Sequence, residues 1–473
     1  MGARYDLIVI GSGPAGEKGA ARAAYFGKRV AIVEQAPEPG GAAINTGTIP
    51  SKTLRETALY FSGLRQRGLY GIDYSLRENV TVAELLYRER AVVQNERELV
   101  RRNLERHGID VYEGRATLIS PRTVRVTWPG GEAVDLEASA ILIATGSAPY
   151  RPETVPFDDE VIYDSDSILR MKLIPRSMVV AGGGVIACEY AAMFTALGVA
   201  VTQVVSGDGL LAFVDREIAD RLRAHLEGLG LGVVFNQRVA AATRNEGGVT
   251  LTLSSGELLQ AEIALFAAGR RSNVEGLGLE ALGVALGERG LVLVDERYQT
   301  SVPGIYAAGD VIGFPALAST SMEQGRVAVT HACKLPASDE FSPVVPLAVY
   351  SIPEVAQVGR TEEECRAQGI DYLVGRAYYA GNPRGQIIGD TSGMLKLLFA
   401  PKDLRLLGAH LIGELASELI HIGAHVLGLG GTIETFQYMV YNYPTLSDVY
   451  KYAAYDGLGA RDHWLSERGR AAV

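Results

Sequence analysis

The stretch "YDLIVIGSGPAGEKGAARAAYFGKRVAIVE", residues 5 to 34, constrains the fold more than any other part of the chain. Its opening is a continuous apolar run, as expected for a parallel strand covered on both faces. Gly11, Gly13 and Gly16 follow at the GxGxxG spacing, then a helical segment, then a second apolar run ending on Glu34. Each position has a physical task. The first glycine permits the turn, the second admits a pyrophosphate, and the third lets helix and strand pack while the helix N-terminus faces the phosphates. An acid about twenty residues on, here Glu34, suits a ribose hydroxyl. Strand before, helix after and acid at the end make this a dinucleotide-binding unit.

The unit recurs. "RSMVVAGGGVIACEYAAMFTALGVAVTQVV" repeats the order strand, glycines, helix, strand, with Gly182 and Gly184 in the first two places and Ala187 in the third. Later segments echo each other too: "TVRVTWPGGEAVDLEASAILIATGS" and "GVTLTLSSGELLQAEIALFAAGR" each set a short alternating strand, a turn and a strand ending in small residues. "TSVPGIYAAGDVIG" reads as a strand running into Gly309 and Asp310. After residue 345 the texture changes. "MLKLLFAPKDLRLLGAHLIG" reads as two strands joined by a turn, and "ELASELIHIGAHVLGLG" as an amphipathic helix. The expected class is α/β, with two Rossmann-like dinucleotide-binding domains and a C-terminal α+β domain.

Composition narrows the partners. A net charge of −10 offers no basic face for nucleic acid. No apolar run is long enough to span a bilayer, and the N-terminal apolar run leads into a glycine turn, so the expected location is the cytoplasm. The three cysteines, Cys188, Cys333 and Cys365, are far apart in sequence and read as buried small hydrophobes, with neither a disulfide framework nor a zinc site. His421 and His425 stand four apart on a helix but have no third ligand in view, so no metal is expected.

With these motifs in place, the chain resembles the two-dinucleotide-domain flavoprotein reductases, the group of glutathione reductase and dihydrolipoamide dehydrogenase. The resemblance runs through "GSGPAG" with Glu34, "GTIPSK", "ATGS", "GGGVIACE", "GRRSN", "YAAGD" and "NYPTLSD". It implies an FAD-binding domain at residues 1–150 and 272–345, an NAD(P)-binding domain at 151–271, and a dimerisation domain at 346–473. By the same resemblance Gly11, Gly13, Gly16, Glu34, Gly41, Thr145, Gly146 and Asp310 hold FAD, and Gly182 and Gly184 hold the nicotinamide nucleotide. Lys52 is expected by the flavin, paired with Glu189, and each active site is completed by the second subunit of a homodimer.

The departures carry information. The disulfide reductases place cysteines where this chain has Ala43 and Thr48, and a histidine and a glutamate where it has Tyr443 and Asp448. Thiol–disulfide exchange needs a thiolate and a resolving partner, with an acid/base to manage the thiol protons. All are missing, so dithiol reduction is excluded. Within the family the likeness is to the soluble pyridine nucleotide transhydrogenases, through "GTIPSK", "SGDGLLAFVDREI", "SELIHIGAH" and "NYPT", although those enzymes keep the first cysteine.

The expected activity is hydride transfer from NAD(P)H through FAD to a second small acceptor, with transhydrogenation leading and a quinone as the alternative acceptor. A flavin-bound dimer kept for binding or regulation is the reading from another class. Lys52, Glu189, Thr48 and Tyr443 are the candidate catalytic residues. Thr48 reads more readily as a hydroxyl satisfied by backbone, since threonine is a poor nucleophile without a base. Tyr443 reads as a hydrogen-bond donor at the dimer seam or as packing, and Asp208 and Arg270 as structural. Val205 stands where Glu34 stood in the first unit, and no arginine falls between residues 203 and 212. The balance leans to NADH, with either nucleotide admitted.

Overall fold

In a computed structural model that describes residues 3–63 and 81–471, the first apolar run is the strand Arg4–Ile10. It lies between two parallel neighbours, Val30–Glu34 and Ala133–Ile143, with Ile8 opposite Ala31 on one side and Ile141 on the other. Asp110–Glu113 extends the parallel set on one flank, and Ile305–Ala307 pairs with Ala133–Ile143. Successive side chains of a strand face opposite ways. Leu7 and Val9 therefore pack with Ala20, Ala23, Val100 and Leu104, while Ile8 and Ile10 pack with Val124, Val126 and Leu136. Each buried Leu, Ile or Val among these contributes roughly 1.5–3 kcal/mol.

These elements belong to one of two compact units, made of Met1–Thr53, Leu86–Tyr150 and Gly269–Phe341. The other comprises Leu54–Leu85, Arg151–Ala268 and Ser342–Val473. Its parallel sheet runs Gly232–Val234, Ala200–Val204, Ser177–Ala181, Ile263–Phe266, Ile162–Asp164. The central strand Ser177–Ala181 leads into the helix Val185–Ala196, which is buried almost throughout. Four strands of this sheet run in the order of the first unit's parallel set, while the fifth, Ile162–Asp164, precedes the glycine turn and its counterpart Ile305–Ala307 comes last in the first unit.

A further difference between the copies lies in the strand beside the central one. In the first, Ala133–Ile143 is a single long strand. In the second the corresponding run divides into Leu258–Ala261, which joins an antiparallel meander, and Ile263–Phe266, which joins the parallel sheet. The break falls at Glu262, whose carboxylate takes the Arg176 backbone N–H at 2.7 Å and its Nε at 2.6 Å.

The C-terminal part of the second unit is an antiparallel sheet ordered Leu347–Val349, Val355–Gly359, Leu406–Ile412, Met394–Phe399, Leu373–Tyr378. Helices Ala416–Gly428 and Val449–Ala471 flank it, and Phe399, Phe436, Leu411 and Tyr450 are core residues there. The Tyr450 hydroxyl donates to the Leu419 carbonyl at 2.9 Å, so its burial leaves no polar group unpaired. Beside this core, Tyr438, Met439, Val440 and Tyr443 are 81%, 56%, 93% and 73% exposed. Among the described residues no helix is long and apolar enough to cross a membrane.

Candidate functional site

The first glycine turn is shaped by close approach. Gly11 has φ +99°, and its N–H donates to the Val33 carbonyl at 2.8 Å. A Cβ at Gly16 would lie 2.0 Å from the Gly11 carbonyl oxygen, so only glycine lets the helix Pro14–Tyr25 settle onto the turn. Gly41, at φ +59°, comes so near Gly13 that a Cβ would stand 2.8 Å from the Gly13 Cα. Two backbones thus meet without side chains where a pyrophosphate would lie against the helix N-terminus.

Glu34 ends the second strand. Its carboxylate accepts the Ser12 N–H at 2.8 Å, the Ser12 hydroxyl at 2.7 Å and the Ala36 N–H at 2.8 Å. An ionised carboxylate has about four lone-pair positions, so one remains for a ribose hydroxyl. At the far side of the same sheet, Asp310 Oδ2 accepts the Ser147 hydroxyl at 2.9 Å. Arg270 braces that hydroxyl from Nε at 2.7 Å and the Ser147 carbonyl from Nη2 at 2.7 Å. Arg270, expected only as structural near the nucleotide domain, thus belongs to the first unit and holds the Ser147–Asp310 pair. Thr145 and Gly146 form the intervening turn, Gly146 at φ +67°. The Thr145 Oγ1 is buried without a protein partner. A buried hydroxyl left over is costly unless something bonds it, and a bound cofactor at this turn meets that need. The glycine turn, the spare acceptor of Glu34 and the Thr145 hydroxyl fit FAD.

The second turn repeats the geometry. Gly182 has φ +139°, its N–H donates to the Val204 carbonyl at 2.9 Å, and a Cβ there would lie 2.5 Å from the Ala267 carbonyl oxygen. Ala187, in the third-glycine place, is fully buried against this turn. Gly184 caps the helix Val185–Ala196. On that helix Glu189 is 3% exposed, and its Oε1 accepts the Tyr350 N–H at 2.9 Å.

Thr48 and Lys52 lie in the first turns of the helix Thr48–Ser62. Thr48 is exposed, and its carbonyl takes the Ser51 hydroxyl at 3.4 Å. Lys52 Nζ donates to the Ser51 Oγ at 3.3 Å. Lys52 belongs to the first unit and Glu189 to the second. Tyr443 lies on the exposed apolar face described above. Ala43 is half-buried in the short helix Gly41–Asn45.

Several residues were missed by sequence reasoning. Arg55, one turn beyond Lys52, is buried; it pairs with Glu354 at 3.2 Å and donates to the Ser351 carbonyl at 2.9 Å. Lys396 is buried among Asp215, Glu217 and Glu362, at 2.8, 3.0 and 2.5 Å. A charged residue inside an apolar strand run was the available signal for Lys396, since such a group is buried only when paired. Among the described residues no cluster of three or more His, Cys, Asp or Glu could hold a metal. His425 Nδ1 lies 2.6 Å from the His421 carbonyl oxygen, one turn back on its own helix.

Two dinucleotide-binding units, followed by an antiparallel sheet and an exposed apolar run after it, are the architecture of a flavin- and nicotinamide-dependent oxidoreductase. The chain belongs to the pyridine nucleotide-disulphide oxidoreductase family, whose pattern matches residues 5–325, with that family's dimerisation domain matching residues 345–454. It is accordingly an FAD-dependent NAD(P)H oxidoreductase that pairs as a homodimer. It is 47% identical over 453 residues to a protein named soluble pyridine nucleotide transhydrogenase from Mycobacterium bovis, covering 96% of this chain and 97% of that one. A protein of the same name from Hahella chejuensis is 40% identical, over 96% and 98% of the two chains. Among solved structures, LpdA from Mycobacterium tuberculosis is 28% identical with a TM-score of 0.89, over 96% and 99% of the two chains. The HOCl-induced flavoprotein disulfide reductase RclA from Escherichia coli, as its Cu(II) complex, is 30% identical with a TM-score of 0.84, over 94% and 99%.

Proposed function

We propose that the chain is a soluble pyridine nucleotide transhydrogenase of the cytoplasm, moving reducing equivalents between NAD(H) and NADP(H). The observation that turns this reading away from dithiol reduction is the replacement of the thiol pair by Ala43 and Thr48 in a chain that keeps both glycine turns with their shaped close approaches. The names of the relatives at 47% and 40% identity support it.

Gly11, Gly13 and Gly16, with the helix start they permit, bind the FAD pyrophosphate, and Gly41 closes over it. Glu34 takes the adenosine ribose, Asp310 the ribityl chain, and Thr145 and Gly146 line the path between them. When bound, FAD accepts a hydride from one nicotinamide and returns it to the next acceptor. Gly182 and Gly184 hold the nucleotide pyrophosphate. Lys52 would supply a cation that favours negative charge on the reduced ring, and Glu189 is held on its own helix by the Tyr350 N–H. Thr48 keeps the space of the lost thiol polar but unreactive. Tyr443, from the exposed face of the C-terminal domain, donates a hydrogen bond across the dimer seam.

The test is anaerobic stopped-flow: reduce the purified flavoprotein with NADH or NADPH, then mix with thio-NAD or menadione. Fast reoxidation by thio-NAD is the expected result. Reoxidation by menadione alone makes the protein a quinone reductase, and failure of either nucleotide to reduce it removes the catalytic reading.

A further inference from the structure

The helix Arg216–Gly228 follows the second strand of the nucleotide sheet and starts at a fixed point. Its N-cap Asp215 accepts the Glu217 N–H at 3.2 Å and Lys396 Nζ at 2.8 Å, and Glu217 itself meets Lys396 at 3.0 Å. Arg216, between these two, reaches elsewhere. Its Nη1 lies 3.4 Å from Asp208 Oδ2, its Nη2 3.3 Å from the Asp208 carbonyl oxygen, and its Nε 3.1 Å from Asp220 Oδ2. Asp208 belongs to the loop directly after the strand Ala200–Val204. That loop is tied to the glycine turn, since the Leu211 N–H donates to the Gly183 carbonyl at 2.8 Å. Gly209 leaves room for the guanidinium: a Cβ there would stand 3.1 Å from Arg216 Nη1.

On a unit of this kind the adenosine ribose falls at the end of the second strand, where an acid receives the hydroxyls or an arginine the 2′-phosphate. Val205, the residue that follows the strand, is buried and can do neither. We infer that Asp208 and Arg216 are the specificity-determining pair of this site and let it take both NAD(H) and NADP(H). The Asp208 carboxylate accepts the 2′-hydroxyl of NAD. For NADP, the guanidinium turns from Asp208 to the phosphate, whose oxygens match its planar donor fork. The contacts it gives up are long and half-exposed, the kind that contributes little to stability. Asp208 and Asp220 set two carboxylates against one guanidinium, so the phosphorylated nucleotide enters at a disadvantage and NAD(H) binds more tightly. This rests on the transhydrogenase reading only in that such an enzyme must accept both nucleotides.

Titration calorimetry of the FAD-loaded dimer with 5′-AMP and 2′,5′-ADP tests the pair without turnover. Arg216→Gln should raise the ratio of the 2′,5′-ADP to the 5′-AMP dissociation constant by about tenfold or more, the loss of a charge-assisted bond. Asp208→Asn should lower that ratio, and Arg216→Lys should restore part of the Arg216→Gln loss. The KM values for NADPH and NADH should move the same way. An unchanged ratio in Arg216→Gln, or a parallel loss of both ligands, overturns the assignment. A shifted ratio without thio-NAD reduction leaves the pair standing and removes the transhydrogenase reading; thio-NAD reduction with an unshifted ratio does the reverse.

Discussion

Lys396 Nζ lies 2.8 Å from Asp215 Oδ1, with the lysine side chain 1% exposed and the aspartate fully buried. The two residues are 181 positions apart, one in the C-terminal sheet and one capping a helix of the nucleotide-binding part. Glu217, Glu362 and Arg376 complete the cluster. Removing one partner of a buried pair strands the others' charges. Lys396→Met should therefore destabilise the protein by about 3–5 kcal/mol, read as a lowered midpoint in urea unfolding. A change within 1 kcal/mol, on the order of an exposed pair's contribution, would show that the cluster holds nothing in register.

The same cluster sets an acid limit. Burial alone would raise the carboxyls of Asp215, Glu217 and Glu362, but His410 and Lys396 at Asp215, Arg376 and Lys396 at Glu217, and Lys396 and Tyr372 at Glu362 outweigh it and hold all three below their usual range. A lowered folded value gives stability that is fully present above the unfolded carboxylate pKa, near 4, and is lost as pH falls through the folded values. Lys396 is shifted upward: burial opposes its charge, but the bonds to Asp215 and Glu362 prevail, so its share persists through neutral pH and fades only in strong alkali. The difference in unfolding free energy between the parent and Lys396→Met, which isolates this cluster, should be flat around neutrality and shrink below pH about 4.

Lys52→Met should slow flavin reduction by NADH on the order of 100-fold, as expected when a charge aimed at developing negative charge is lost. The fall should sit in kcat more than in KM if the proposed role of Lys52 on the reacting ring holds, since nucleotide binding would then be untouched. Single-turnover reduction followed by flavin absorbance reads it directly, and rates equal to the parent's would take Lys52 out of the mechanism.

The cysteines should be inert. Burial pushes the Cys188 thiol up to about 12 and the Cys333 thiol up to about 11, and it raises that of Cys365 as well. Thiolate, not thiol, is the nucleophile, so iodoacetamide at neutral pH should leave NADH oxidation unchanged and label none of the three under native conditions. Mass spectrometry of the treated protein checks this. Labelling of Cys188 with loss of activity would place a reactive thiol beneath the nucleotide turn.

The parts that sequence disclosed were those carried by local pattern. The glycine spacing, the apolar strand runs and Glu34 are read within about thirty residues, and local backbone physics dictates what they form. The division of the second copy at Glu262 was not legible in the local pattern; at the break the Glu262 carboxylate meets Arg176 from another segment, 86 positions away. Arg55 and Lys396 escaped for the same reason, since a lone cation in sequence reads as solvated until its distant partners are seen. Arg270 was legible only as structural, its partner hidden because its bonds to Ser147 span 123 positions.

The exposed run Tyr438, Met439, Val440 and Tyr443 ties assembly to survival. A lone subunit carries that apolar face into water, where it invites unselective sticking. Pairing that covers it should make the protein's resistance to heat rise with its own concentration, as mass action demands. Dilution therefore acts on this enzyme as a mild denaturant does.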